Sequence, residues 1–132
     1  MSAAVSYLDS SAIVKVVLGE PNSDDVRAWL RGRRQATSLL GVAEAMRAVR
    51  RRVPAGLPLA LSLLERMERV PLGSDVVVTA GLLDPAALRT LDALHLASAL
   101  VLEETLEAFV TYDRQLGAAA RAAGLPVVAP GH

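Results

Sequence analysis

Two carboxylates in this chain stand where an apolar run breaks off. Val5-Ser6-Tyr7-Leu8 gives way to Asp9-Ser10-Ser11, and Ala108-Phe109-Val110 to Thr111-Tyr112-Asp113. Each run carries β-branched and aromatic residues and reads as a strand, and each is followed by a helix-favouring stretch, Ala12 to Leu18 and Arg114 to Ala123. In a parallel sheet, an acid just past such a strand sits at its carboxyl end, where open α/β folds bind ligands. Glu44 and Asp92 lie in helical runs and reach the same crevice if their polar faces turn toward it. Four carboxylates crowded together repel, and their pKa values rise unless a cation compensates. A divalent metal would do so, turning bound water into a nucleophile and stabilising charge on a phosphoryl oxygen. The chemistry suggested is hydrolysis of a phosphate ester.

Composition narrows the metal. There are no cysteines and only two histidines, of which His132 is the last residue. Thiolate nucleophiles and zinc–cysteine sites are excluded, and the ligands must be oxygens, which suits magnesium or manganese. With 132 residues the chain fits one domain, residues 1–132, and 52% hydrophobic residues exclude a disordered chain. No apolar run is long enough to span a bilayer and no signal-peptide pattern opens the sequence, so the cytoplasm is expected. Formal charge is zero, with fourteen acids against fourteen basic residues. A nucleic-acid binder with that balance must segregate its charge.

The elements that would position these acids follow an alternating β-α pattern. Gly19 to Asn22 reads as a turn, Ser23 as an N-cap, and Asp24 and Asp25 as first-turn acids of a second helix carrying Trp29, a packing anchor. Gln35 to Thr37 is a weak strand, and Ser38 caps a helix from Leu39 to Arg52. A helix from Leu59 to Arg69, a short strand from Val70 to Leu72 and a helix from Ser74 follow the Pro54 to Pro58 break. Asp84-Pro85 reads as an N-cap followed by proline. The next run, Leu88 to Leu100, is apolar nearly all round and therefore buried, which makes Asp92 an expensive mid-helix acid that needs a partner, Arg89 or something beyond. His95 shares its face. Glu103, Glu104 and Glu107 read as a solvated helix end, and Pro126 to Ala129 as a last strand. Such alternation implies a parallel sheet with helices on both faces.

Taken in order, Tyr7-Leu8-Asp9-Ser10-Ser11-Ala12, Glu44 before Arg47, Leu91-Asp92-Ala93-Leu94-His95-Leu96-Ala97, and Thr111-Tyr112-Asp113 with Leu116 resemble the PIN-domain ribonucleases, specifically the VapC toxins of toxin–antitoxin modules. The likeness runs from about Tyr7 to Pro130. It implies a three-layer α/β/α domain with a five-stranded parallel sheet in the order 3-2-1-4-5, which sets strand 1 beside strand 4. It further implies that Asp9, Glu44, Asp92 and Asp113 are the acidic quartet that binds magnesium or manganese, with Ser10 and Thr111 as supporting or substrate contacts; His95, from its place on the Asp92 face alone, reads as a core or supporting histidine. The implied activity is endonucleolytic cleavage of RNA by a homodimeric toxin, silenced by a cognate antitoxin protein.

Arg47, Arg50, Arg51 and Arg52 cluster on the helix that holds Glu44, and arginine suits phosphate through its forked donors. Arg47 and Arg51 lie on the Glu44 face and are the RNA-binding candidates. Arg50 and Arg52 read as a helix end favouring the negative dipole. Rival phosphoryl-transfer families fit poorly. Haloacid-dehalogenase-like phosphatases need an aspartate where Ser11 stands, and a receiver domain needs a lysine after its last strands, whereas the only one here is Lys15. A PIN-like module that binds RNA or protein without cutting, and a housekeeping nuclease without an antitoxin, remain the alternatives.

Overall fold

A computed structural model describes residues 4–132. Five parallel strands form one sheet: β1 (Val5–Leu8), β2 (Arg34–Ser38), β3 (Glu68–Val70), β4 (Leu106–Val110) and β5 (Val127–Val128). Their order is β3-β2-β1-β4-β5, with Tyr7 level with Ala36 on one side and Phe109 on the other. The winding therefore reverses at β1, whose carboxyl end, with that of β4, forms the crevice where such sheets bind ligands.

Among the described residues, seven α-helices cover the faces: α1 (Ser10–Val17), α2 (Ser23–Leu30), α3 (Leu39–Arg52), α4 (Leu57–Glu65), α5 (Ser74–Leu82), α6 (Thr90–Val101) and α7 (Arg114–Ala122). On one face Leu8, Ile13, Val26, Ala45, Leu64 and Val110 pack together. On the other, Tyr7 and Phe109 stack with ring centroids 5.4 Å apart and planes 9° from parallel, enclosed by Leu96, Leu116 and Leu125. The carboxyl-terminal halves of β1 and β4 are buried on both faces, which explains why Tyr7-Leu8 and Ala108-Phe109-Val110 show no polar alternation. Trp29 packs against the first of these clusters, with the Arg33 guanidinium 3.8 Å above its ring. No helix among the described residues is long and apolar enough to cross a membrane.

Several local expectations are corrected. Ser23 does not cap α2; Asn22 holds that position with φ 72°, and the buried Ser23 hydroxyl accepts from the Glu20 N–H and donates to the Leu18 carbonyl, pinning the α1–α2 turn. The helix expected over Leu59 to Arg69 starts earlier and stops at Glu65, and the strand expected at Val70 to Leu72 begins at Glu68. Pairing with β2 overrides helix propensity there, supported by a two-pronged contact from Arg34 to Glu68 at 2.7 and 2.8 Å. Asp84 caps nothing, because the chain turns on to Arg89 before α6 begins at Thr90; Leu88 is drawn instead against the Phe109 cluster. Asp92 consequently lies in the first turn of α6, where the helix dipole favours a carboxylate, and not in mid-helix. Glu107 is no helix-end acid. It sits on β4, receives Arg33 Nη1 at 2.9 Å and accepts from the Ser6 hydroxyl at 3.3 Å.

Candidate active site

Asp9 leaves β1 with extended backbone and caps α1. Its Oδ1 accepts from the Ala12 N–H at 3.0 Å and the Ser11 hydroxyl at 2.7 Å, and its Oδ2 from the Thr111 hydroxyl at 2.6 Å. The same construction recurs after β4. Asp113 caps α7 by accepting from the Leu116 N–H at 3.0 Å, while its own N–H donates to Thr111 Oγ1 at 3.0 Å. Thr111 thus ties the two acid-ended strands together, and Ser11 does so again by accepting from the Tyr112 N–H at 3.1 Å. Asp9 is 3% exposed, and burial pushes its carboxyl pKa up against the opposing pull of these donors.

Glu44 arrives on α3. Gly41, one turn earlier, lets that helix press against β2 and α6: a Cβ there would collide with the Thr37 hydroxyl and sit 3.3 Å from His95 Cε1. Glu44 Oε1 lies 2.6 Å from His95 Nε2, and His95 Nδ1 lies 2.8 Å from the Tyr7 hydroxyl. A carboxylate only accepts, so Nε2 donates to Glu44, and Nδ1 meets the hydroxyl of Tyr7, whose pKa burial pushes up. His95 is buried with both ring nitrogens engaged, and Tyr7 is the member of this hydrogen-bonded chain that sequence reading missed.

Asp92 completes the group. Burial raises its pKa first, the Asp113 charge raises it further, and Arg89 opposes both. Arg89 is the second residue missed as part of the site. Its Nε lies 3.3 Å from Asp92 and its Nη2 3.4 Å from Asp113, so one guanidinium spans both acids. The i,i+3 spacing from Arg89 to Asp92 was legible; the bridge to Asp113 required the fold. Asp9, Glu44, Asp92, Asp113 and Arg89 all line one cleft of about 350 Å³, together with Ser10, Ser11, Thr90 and Leu91.

The donors suit a hard divalent cation in kind. All are carboxylate or hydroxyl oxygens, and both nitrogens of the nearby histidine are already engaged. As placed, no three acidic or histidine side chains among the described residues converge on a single point, and Arg89 supplies the compensating charge for two of them. This gives a first prediction. Arg89→Ala should lower stability in chelator by ~0.5–1 kcal/mol, the scale of exposed ion pairs, in a urea titration. The same variant should bind Mn2+ several-fold more tightly by calorimetry, because a competing cation is gone; unchanged values on both counts would show that Arg89 does not compensate these acids.

Beside the cleft, sharing Ser10, Ser11 and Glu44 with it, runs a groove of about 480 Å³ whose walls include Arg47, Arg51 and Arg52. Arg52 is paired with Glu20, leaving Arg47 and Arg51 without ion pairs among the described residues.

This fold and this cleft define the class. The chain belongs to the PIN-domain family, whose family model matches residues 6–122. Within it, the chain sides with the VapC ribonucleases: it is 40% identical over 131 residues to Ribonuclease VapC47 of Mycobacterium tuberculosis, covering 95% of this chain and 96% of that one. Among solved structures, Mycobacterium tuberculosis VapC20, a Sarcin-Ricin loop cleaving toxin, superposes with TM-score 0.74 at 16% identity over 95% of this chain and 99% of that one. A toxin–antitoxin complex from Klebsiella pneumoniae gives TM-score 0.71 at 21% identity, over 98% of each chain. At those identities the structural likeness speaks for the fold.

Proposed function

We propose that this chain is a metal-dependent endoribonuclease, the toxin of a toxin–antitoxin pair. The observation that carries the reading is the meeting of Asp9, Glu44, Asp92 and Asp113 in one cleft at the carboxyl ends of β1 and β4. The VapC relatives support the ribonuclease activity, and the likeness to a toxin–antitoxin complex supports a cognate antitoxin partner.

Asp9, Glu44, Asp92 and Asp113 would hold Mg2+ or Mn2+. Such an ion supplies a water nucleophile near neutral pH and offsets charge on the phosphoryl oxygens. The rest is done by the chain. Thr111 and Ser11 fix both oxygens of Asp9, so its carboxylate presents one orientation. Tyr7 and His95 hold Glu44 at the rim of the cleft. Arg89, with a 71% exposed side chain, is placed to meet substrate phosphate when it leaves Asp92 and Asp113. Arg47 and Arg51 line the adjoining groove and receive the flanking phosphates, and Ser10, which lines both spaces, contacts the strand between them. A homodimer belongs to the same reading; Val78 and Leu82, one turn apart on α5 and 60% and 79% exposed, give it apolar surface.

The test is cleavage of a total-RNA preparation by purified protein, with ends mapped. Internal cuts that appear with Mg2+ or Mn2+, vanish in EDTA and are suppressed by the cognate antitoxin are the expected result. Metal-independent cutting, or none on any RNA, would remove the reading.

A further inference from the structure

The acid cleft is open on two sides. It shares Ser10, Ser11 and Glu44 with the Arg47–Arg51 groove, and it shares Asp113 with a second groove of about 340 Å³ on the other side. The second groove is walled by Thr111, Tyr112, Arg114, Arg121 and His132. Its cations are not used elsewhere. Arg27, Arg33, Arg34, Arg52 and Arg89 are cancelled by acids, whereas Arg114 and Arg121, both exposed, have no ion pair or hydrogen-bond partner for their side chains among the described residues. Arg121 also folds inward: a Cβ on Gly117 would lie 3.6 Å from Thr111 Cγ2 and 4.0 Å from Arg121 Nη1. Its guanidinium is thereby on the side of α7 that faces Thr111, the residue whose hydroxyl holds Asp9.

The formal charge of zero therefore conceals an ordered face, with unpaired arginines on both flanks of a patch of carboxylates. We propose that the Arg114–Arg121 groove is a second strand-binding subsite, holding RNA phosphates on the opposite side of the scissile phosphate from those held by Arg47 and Arg51. This rests on the reading of the acids as a ribonuclease centre. A strand drawn to the acids from one side meets four carboxylates, and a cationic groove beyond Asp113 is what carries it across. Tyr112 and His132, with ring centroids 5.7 Å apart and edge to face, add flat surface beside the arginines for an unpaired base, which favours single-stranded RNA. An acidic peptide would gain from the arginines of either groove, but nothing would draw it past Asp113 to the other.

The test is binding of a labelled, mixed-sequence single-stranded RNA in EDTA, as a function of salt. Arg114→Ala with Arg121→Ala should lower affinity about tenfold and flatten the plot of log K against log salt by ~1.4, at ~0.7 per lost phosphate contact on a single strand. Arg31→Ala with Arg66→Ala removes two other unpaired arginines that line neither groove, and should change little. With the cut site mapped, shortening the RNA on one side of it should erase the Arg114/Arg121 deficit. Shortening it on the other side should erase the deficit of Arg47→Ala with Arg51→Ala. No loss of RNA affinity, an equal loss in the Arg31/Arg66 control, or loss of polyglutamate binding alone would overturn the subsite. The salt-slope measurement needs no cutting, so it stands or falls separately from the ribonuclease reading.

Discussion

Asp9→Asn is expected to reduce RNA cutting by more than ~100-fold while leaving the fold intact. Replacing groups that merely support a metal ligand costs ~10–100-fold in affinity or activity, so loss of a ligand charge should cost more. The substitution keeps shape. An Asn oxygen can still accept from Ser11 and Ala12, and its amide can face Thr111. Stability should move the other way from activity. Because burial raises the folded-state pKa of Asp9, the carboxyl stabilises the fold fully only when protonated, below the ordinary carboxylate range, and that contribution is lost as pH rises through the raised value. In EDTA, the neutral Asn variant should therefore melt at or above the wild-type temperature near pH 7, with the gap closing as pH falls. Undiminished cutting by a folded Asp9→Asn protein would take Asp9 out of the chemistry.

The second large effect concerns the support beneath the site. Phe109→Ala should destabilise the protein by ~3–5 kcal/mol, the range for emptying an aromatic core position. Against a total of ~5–15 kcal/mol for a small domain, that is enough to unfold a marginal one. Phe109 is fully buried, lies beside Tyr7 in the β1–β4 register and stacks on its ring, and Tyr7 holds His95, which holds Glu44. The expected readout is a lower urea midpoint at near-constant slope, with reduced cutting even where the variant is still folded. Val101→Ala, at the exposed end of α6, is the control and should change the stability by less than ~0.5 kcal/mol. Similar midpoints for the two variants would mean that the Tyr7–Phe109 stack is not a keystone of the core.

Most of the fold was legible because its signals are local. β1 and β4 show as apolar stretches that run out into a carboxylate, since their carboxyl-terminal halves are buried on both faces and have no polar side to display. The α3 boundaries from Leu39 to Arg52, with Ser38 as cap, follow from capping chemistry that needs only neighbouring residues. Where a residue's partner was distant, the reading failed. Ser23 reads as a cap from its neighbours alone, whereas its hydrogen bonds to Leu18 and Glu20 exist only because the chain reverses there. Glu68 falls in a helical pattern, and only pairing with β2 makes it a strand; Asp92 falls mid-way in the apolar run from Leu88, whereas α6 begins only at Thr90 and Leu88 packs outside it.

The same division holds for the site. Residue types and spacing alone place Asp9 and Asp113 at strand ends, exclude thiolate donors, and set Arg47 and Arg51 on the helix face of Glu44. These depend on residue type and on periods of two or 3.6. Only the tertiary structure decided that Asp9, Glu44, Asp92 and Asp113 line one cleft, that Tyr7 and His95 position Glu44, that one arginine spans Asp92 and Asp113, and that a second cationic groove lies beyond Asp113. The cleft, the support of Glu44 and the bridged pair of acids join residues from 21 to 104 positions apart in the chain, and which of many possible carboxylates meet is settled by sheet order and helix packing, which no local pattern carries.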